Sequence, residues 1–565
     1  MQNRSDRDPS GTEFSGRTSA SNGMKMRFFL VLVFFVALYT PLVFNIYTIQ
    51  IRKSDYYTDR ALSQHIAGSL EPQRGSIYFT DRNGNPIPAA ITKGYPAIFA
   101  VPEKIKNPEA VAQALEEFLT LDHEKLMASL NKSDDPYELL VRRASAQAVQ
   151  EVAKRKLPGI YTQEEYARFY PFKSLASQVI GFVGENAEDA RQSGKYGLEL
   201  FYEDSLFGKF GVLESDTLVN PIAGQNIFLT IDSNIQTRAE EVLDVLVEKY
   251  HGSGGSVIVQ DPHTGAILAM GGNPDFDPNA FGDYELKDFI NPTIQGIYEP
   301  GSVMKVITMA SALDAKKLTP DTTFYDSGAL TLNDHTIRNW DLKAHGKITM
   351  TEVIEQSINT GAAHAQRLLG NDLFYNYLVK FGFGTKTGIA LPGELSGSIQ
   401  NLKTSFRAIN FATAAFGQGI SVTPLQLISA VSAIANGGTL LKPYVRSDES
   451  PTIVRRVISE EASDLIVGMM TSAVKKAVIA QIQNFEIAGK TGTAQIPDFR
   501  NGGYSDDFIH TFVGFAPAQN PRFTILIRLD KPAGAPLAGT TVVPAFRELA
   551  EYLVNYYNIP PDTLE

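Results

Sequence analysis

Residues 298–306 read YEPGSVMKV, and the serine and lysine in this stretch decide how the rest of the chain is interpreted. Pro300 and Gly301 end an extended segment, and the residues from Ser302 onward (SVMKVITMASALDAKKL) have the apolar spacing of a helix. Residues three apart lie on one helix face, so the Lys305 amine can reach the Ser302 hydroxyl. Lysine serves as the base for a serine nucleophile where burial or the positive end of a helix disfavours its ammonium form. Taken alone, the pattern also fits a serine helix cap followed by a surface lysine.

A second polar pair lies further along the chain, in EQSINTGAAH at 355–364. Ser357 and Asn359 are two residues apart, so their side chains diverge on a helix and point the same way on a loop or extended turn. A hydroxyl there can relay a proton to a leaving amine, and an amide can hold the peptide group of a substrate. A helix N-cap or a simple turn is the alternative interpretation of this pair.

A third segment, FEIAGKTGTAQ at 485–495, combines apolar residues typical of a strand with a cation, a glycine and two hydroxyls. Its candidate substrate-binding residues are Lys490, Thr491, Gly492 and Thr493. The lysine and the hydroxyls suit a carboxylate, and the glycine leaves room for a peptide along the strand. The rival prediction is a phosphate-binding loop, but that motif requires glycine at position 484, which is asparagine, and a strand followed by a helix.

Composition limits the classes of protein to consider. The chain has 565 residues, enough for two or more domains, and its 43% hydrophobic and 20% charged residues are typical of a folded protein. Its 62 acidic and 51 basic residues give a net charge of -11, which disfavours a nucleic-acid-binding surface. The chain has no cysteine, and its 8 histidines show no spacing typical of metal ligands, so neither a metal nor another cofactor is expected.

One apolar stretch predicts a membrane anchor. Residues 28–44 (FFLVLVFFVALYTPLVF) carry no charge, and the apolar character continues to about residue 50 with a break at Asn45. A helix of roughly 17 to 22 residues spans roughly 26 to 33 Å, enough to cross a bilayer core. A cleaved signal peptide is the alternative, but no small-residue cleavage site follows the run. We therefore predict a disordered tail at 1–27 and an uncleaved transmembrane anchor at 28–50. Basic residues are balanced on the two sides of the anchor, so they do not predict its orientation in the membrane.

Patterns after the anchor predict an α+β fold. Helical apolar spacing occurs at 109–121, 145–157 and 233–250. A change in pattern near 219–232, where Pro and Gly precede a strand, suggests a domain boundary. Beyond it, two hairpins are predicted, one around DPHTG at 261–265 and one around Asn520-Pro521, with a mostly helical block between them. We therefore expect an antiparallel sheet flanked by helices.

The three motifs together are more specific than any one of them, because Ser-x-x-Lys, Ser-x-Asn and Lys-Thr-Gly occur in this order. With them, the chain resembles a class B penicillin-binding protein, a monofunctional peptidoglycan D,D-transpeptidase. Similar segments are YEPGSVMK, FGQGISVTPLQL (416–427), AGKTGTAQ, FVGFAP, RGSIYFTDRNG (74–84), ARFYP (167–171) and YGLEL (196–200). FGQGISVTP and AGKTGTAQ are most similar to the cell-division, or septal, branch.

The resemblance implies an order of domains and a set of residue roles. It implies a non-catalytic pedestal or dimerisation domain at 51–221, a penicillin-binding, serine β-lactamase-like transpeptidase domain at 222–557, and a tail at 558–565. The implied catalytic residues are Ser302, Lys305, Ser357, Asn359 and Lys490, and the implied substrate-binding residues are Thr491, Gly492 and Thr493. In this scheme the first serine is the acylated nucleophile and Lys305 its base, while the second serine and Lys490 pass a proton to the leaving D-alanine. Asn359 orients the donor amide, and Thr491 and Thr493 hold the terminal carboxylate.

The same resemblance implies the partners and the location. Peptidoglycan stem peptides would be the substrates, β-lactams the covalent inhibitors, and a membrane glycosyltransferase and other wall-synthesis proteins the partners. The protein would be a single-pass protein of the bacterial cytoplasmic membrane, with its catalytic domain outside the cytoplasm. Three alternatives remain open: an elongation-branch transpeptidase, a D,D-carboxypeptidase, and a penicillin-binding sensor or scaffold without turnover.

Overall fold

A computed structural model describes residues 39–40, 47, 72–132, 137–186, 191–214, 217–405, 407–478, 480–498 and 500–562. The predicted tail at 1–27 lies outside these ranges, and so does the predicted anchor at 28–50 apart from residues 39–40 and 47. Within the described ranges, no helix combines the length and the apolar character needed to cross a membrane. The chain divides into two units, Met1–Pro72 with Lys209–Ile222, and Gln73–Gly208 with Ala223–Glu565.

The amino-terminal part of the second unit is built on one long strand. Its first strands are β1 (Ile77–Thr80), β2 (Pro86–Ala100), β3 (Glu138–Val141) and β4 (Ile160–Phe169). β1, β3 and β4 each pair antiparallel with β2. Its first helices are α1 (Pro108–Glu116), α2 (His123–Leu130) and α3 (Ala146–Arg155), and they share one apolar cluster with β2 and β4. Helices α1 and α3 confirm the helices predicted at 109–121 and 145–157, although both end before the predicted residue.

Short helices and strands follow, and one of these helices contributes a residue to a buried cluster of charged side chains. They are α4 (Ser177–Ile180), β5 (Val183–Glu185), β6 (Gln192–Gly194), α5 (Gly197–Phe201) and α6 (Glu203–Phe207). The wholly buried Glu199 carboxylate accepts hydrogen bonds from Arg168 Nε at 2.6 Å and Arg74 Nε at 2.8 Å. These residues come from the segments RGSIYFTDRNG, ARFYP and YGLEL, so the three amino-terminal segments named above meet at one ion-pair network. In the first unit, β7 (Val212–Glu214) and β8 (Thr217–Val219) form an antiparallel hairpin.

The carboxy-terminal part contains the remaining strands of the described chain. They are β9 (Ile227–Asp232), β10 (Gly254–Gln260), β11 (Ile267–Asn273), β12 (Thr323–Asp326), β13 (Ala329–Leu332), β14 (His335–Arg338), β15 (Gly346–Thr349), β16 (Thr439–Leu441), β17 (Ile453–Arg456), β18 (Ala488–Pro497), β19 (Tyr504–Ala516) and β20 (Phe523–Asp530). β9 pairs parallel with β1. The main sheet is antiparallel in the order β11-β10-β20-β19-β18, which confirms both predicted hairpins and leaves β18 at an edge.

Helices cover both faces of this sheet. The helices of this part of the chain are α7 (Ser233–Tyr250), α8 (Pro292–Gln295), α9 (Met304–Asp314), α10 (Met350–Glu355), α11 (Asn359–Leu369), α12 (Asn371–Lys380), α13 (Gln400–Thr404), α14 (Ala408–Ala414), α15 (Pro424–Ala435), α16 (Glu460–Ala477) and α17 (Val542–Tyr556). Successive strand side chains point to opposite faces, so Val257 and Val259 pack with α7 and α17, whereas Ile258 joins the cluster containing α9 and α15. The predicted antiparallel sheet flanked by helices is therefore present, and α7 has the predicted bounds.

Candidate active site

Ser302 lies in a single 3₁₀ turn, Gly301–Val303, directly before α9. Gly301 has a left-handed backbone conformation, and its N–H donates a hydrogen bond to the carbonyl oxygen of Gly417. A Cβ atom on Gly417 would lie 2.2 Å from the Gly301 carbonyl oxygen, so only glycine allows this close packing. The FGQG segment at 416–419 therefore supports the turn that carries Ser302.

Lys305 is desolvated because α9 is buried on all sides. Its side chain is 1% exposed, and its Nζ donates hydrogen bonds to the carbonyl oxygen of Ser357 at 2.5 Å and to Ser357 Oγ at 3.1 Å. Burial, and to a smaller extent the charge of Lys490, holds the pKa of Lys305 well below its ordinary value. The expected hydrogen bond to Ser302 is not formed: within the part of the chain that the structure describes, the Ser302 hydroxyl makes none, and the Lys305 amine binds Ser357 instead.

Ser357 lies on the turn between α10 and α11. Its φ is 56°, a left-handed conformation that residues with a Cβ atom rarely adopt. Ser357 therefore lies on a turn, which both interpretations of this motif allowed, whereas Asn359 is the first residue of α11. Asn359 Nδ2 donates to the carbonyl oxygen of Arg338 at 2.9 Å, and among the described residues its amide makes no hydrogen bond to either lysine.

Lys490 approaches the same serine from the edge strand β18. Its Nζ donates to Ser357 Oγ at 3.0 Å and to Thr491 Oγ1 at 3.3 Å. Its side chain is buried, and burial lowers the pKa of Lys490 to about 7. Ser357 Oγ is thus the common acceptor for two buried amines that come from distant parts of the sequence.

The structure shows a packing reason for glycine at 492, in addition to the predicted room for a peptide. A Cβ atom there would lie 2.9 Å from the Pro300 carbonyl oxygen and 3.1 Å from Val303 Cγ2, so glycine allows β18 to pack against the turn of Ser302. Thr493 Oγ1 accepts a hydrogen bond from the Ala538 N–H at 3.2 Å, a contact that the sequence did not indicate. Neither observation assigns a substrate contact to these two residues.

The arrangement provides the parts of a proton relay beside a nucleophile. An amine with a lowered pKa is uncharged in a larger fraction of molecules near neutral pH and can accept a proton there. A hydroxyl between two such amines can take a proton from one side and pass one to the other. Among the described strands β18 pairs only with β19, so its other edge offers backbone N–H and C=O groups to an extended peptide.

Sequence reasoning missed three residues beside this site. Trp340 Nε1 donates to the carbonyl oxygen of Gln356, and Asp326 and Asn339 form a buried hydrogen-bonded pair close to Thr360. The one available signal was that Trp340 is the only tryptophan of the chain.

Comparisons with known proteins identify the domains that carry this site. Two family models match, the penicillin binding protein transpeptidase domain over residues 255–551 and the penicillin-binding protein dimerisation domain over residues 69–225. Stage V sporulation protein D of Bacillus subtilis is 35% identical, with 84% of this chain and 76% of that protein covered. Peptidoglycan D,D-transpeptidase FtsI of Escherichia coli is 29% identical, with 88% and 85% covered. The crystal structure of penicillin-binding protein 2X from Streptococcus thermophilus aligns with a TM-score of 0.73 at 24% identity, covering 86% of this chain and 79% of that one.

Proposed function

Since the chain belongs to the class B penicillin-binding proteins, which join a dimerisation domain to a transpeptidase domain, we propose that the cleft around Ser357 is the active site of a peptidoglycan D,D-transpeptidase. The enzyme crosslinks stem peptides through a serine acyl-enzyme and is acylated by β-lactams. One observation carries the assignment of the site: Lys305 and Lys490, both almost wholly buried, donate to the same Ser357 hydroxyl, close to the turn that holds Ser302.

In the acylation step, Ser302 Oγ attacks the carbonyl carbon between the two terminal D-alanines of a donor peptide. The hydroxyl proton passes to the uncharged amine of Lys305, and the C–O bond of the acyl-enzyme forms as the peptide C–N bond breaks. Ser357 and Lys490 deliver a proton to the nitrogen of the leaving D-alanine. The lowered pKa of Lys305 supports its role as proton acceptor, because an ordinary lysine is an ammonium ion near neutral pH. A pKa of about 7 leaves Lys490 protonated in about half of the molecules near neutral pH, and this form can donate.

In the second step, an amino group of a neighbouring strand attacks the same carbonyl carbon. The ester bond breaks, the new peptide bond forms, and the Ser302 oxygen regains a proton through the same relay in reverse. We assign Asn359 to the donor amide, and Thr491, Gly492 and Thr493 to the strand edge along which the peptide and its carboxylate lie. The edge position of β18 supports this assignment.

We place this activity in septal wall synthesis at the outer face of a bacterial cytoplasmic membrane. The similarity of the FGQGISVTP and AGKTGTAQ segments to the division branch supports the septal role, and the apolar stretch at 28–44 supports the membrane anchor. We propose a pedestal at 51–221 and a catalytic domain at 222–557. A membrane glycosyltransferase would supply the glycan strands that this enzyme crosslinks.

Intact-mass measurement after exposure to penicillin tests the acyl-enzyme. We expect one covalent adduct on the wild type and none on Ser302→Ala; an adduct that persists on the variant would remove Ser302 from its role. Product analysis with a donor stem peptide, with and without an amine acceptor, distinguishes crosslinking from hydrolysis. If D-alanine is released and no amide product forms with the acceptor, the protein is a carboxypeptidase instead.

A further inference from the structure

We propose that Trp340, with the buried Asp326–Asn339 pair behind it, forms a clamp that positions Ser357 between the two lysines. These are positioning residues rather than catalytic ones, because their contacts are to the backbone and side chains around Ser357. The inference rests on the proposed role of Ser357 in proton transfer.

The need for a clamp comes from the backbone of Ser357. A left-handed conformation is unfavourable for a residue with a Cβ atom, so the surrounding structure must hold it. Ser357 is not a glycine and has a φ of 56°. Both of its acceptor atoms, the carbonyl oxygen and Oγ, are used by Lys305, and Oγ is also used by Lys490. A change in this backbone conformation would move both acceptors at once.

On the amino-terminal side of Ser357, the clamp is a single directed hydrogen bond. Trp340 Nε1 donates to the carbonyl oxygen of Gln356, the residue before Ser357, at 2.9 Å. The Trp340 side chain is 56% exposed, although tryptophan is usually well buried. Its ring therefore contributes less to a core than a tryptophan usually does, whereas its N–H has a specific acceptor at the site.

On the carboxy-terminal side, the same short segment makes a buried network. Asn339 Oδ1 accepts a hydrogen bond from the Thr360 N–H at 3.3 Å and lies 3.1 Å from the Thr360 hydroxyl oxygen, whose single proton is donated to Asp326. The wholly buried Asp326 accepts from Asn339 Nδ2 at 2.7 Å and from the Thr360 hydroxyl at 2.6 Å. Residues 338–340 thus bind the chain before and after Ser357, and the Arg338 carbonyl oxygen also accepts from Asn359.

The first variant is Trp340→Phe in the full-length protein, which removes the indole N–H and keeps an aromatic ring. Tyr325→Phe is the matched control, because Tyr325 is 76% exposed and its hydroxyl makes no hydrogen bond to the described residues. The rate constant of acylation by penicillin, measured across pH, should fall about tenfold in Trp340→Phe, which corresponds to one hydrogen bond of about 1.4 kcal/mol. The acid limb of the profile should move to lower pH, because the ammonium form of Lys305 loses acceptors that stabilise it. The control should retain the wild-type profile.

The second pair of variants tests the buried side of the clamp. Thr360→Ser keeps the hydroxyl and should retain the wild-type profile, whereas Thr360→Val keeps the shape and should reproduce the effect of Trp340→Phe. An unchanged rate and profile in Trp340→Phe would overturn the clamp, and so would a rate that falls only in step with the melting temperature while the profile stays in place. A wild type that forms no penicillin adduct would instead refute the proposed function.

Discussion

Replacing Lys490 with methionine should move the acid limb of penicillin acylation to higher pH. Lys305 Nζ and Lys490 Nζ lie 3.1 and 3.0 Å from the same Ser357 Oγ. The two nitrogens are then at most about 6 Å apart, and Coulomb's law with an effective dielectric constant of ~20 gives a repulsion of ~2.8 kcal/mol between two unit charges. That energy corresponds to a pKa shift of about two units.

The sign of the shift follows from which amine is charged. Below a pH of about 7 Lys490 takes up a proton, and its charge then lowers the pKa of Lys305 further. Lys305 must be uncharged to accept the Ser302 proton, so acylation declines as the pH falls through the pKa of Lys305. Methionine carries no charge, so in the variant the pKa of Lys305 is higher and the decline begins at a pH up to about two units higher.

The assay is the rate constant of acylation by a fluorescent penicillin between about pH 5 and about pH 9, with each profile scaled to its own plateau. Scaling removes the overall loss of rate that we expect when the proton donor Lys490 is absent. Lys490→Arg is the control, since arginine remains charged throughout this range and should leave the limb at or below the wild-type position. If the acid limb of the pH profile of Lys490→Met coincides with that of the wild type, the charge of Lys490 does not lower the pKa of Lys305.

Three further substitutions have expected outcomes. Gly492→Ala should reduce acylation at least tenfold without changing the circular dichroism spectrum, because the new methyl group would lie 2.9 Å from the Pro300 carbonyl oxygen and displace the nucleophile turn; unchanged acylation would contradict this. Glu199→Gln should lower the free energy of unfolding by about 3–5 kcal/mol, because it leaves the Arg168 charge buried without its partner. A denaturation midpoint within error of the wild type would exclude that cost. Thr493→Val should cost about 1 kcal/mol of stability, seen as a lower melting temperature without substrate, because the hydroxyl already accepts a backbone hydrogen bond. Equal melting temperatures would show that this bond contributes nothing.

Features that depend on local periodicity were predictable from the sequence. The helix at 233–250 and the hairpins around 261–265 and 520–521 follow from apolar spacing and turn residues, and the structure contains them. The desolvation of Lys305 was not predictable in this way, because Thr308, Ser311 and Asp314 follow it at intervals of three residues, and such a polar stripe is also typical of an exposed helix face.

The contacts within the site were not predictable in the same way, because they depend on distances between segments that are far apart in the chain. Spacing along α9 suggests that Lys305 binds Ser302, but the left-handed turn at Ser357 presents two acceptors to the amine, and Lys305 binds both of them instead. Gly492 was expected to leave room for a peptide, and its missing side chain is also required by the approach of β18 to the turn of Ser302. In both cases residue identity was a reliable guide to which residues matter, since a lysine, a serine and a glycine are each needed where they occur. Which neighbour each of them contacts is set by how the edge strand and the two turns pack, and hydrogen bonds that depend on direction follow that packing rather than the spacing of residues along the chain.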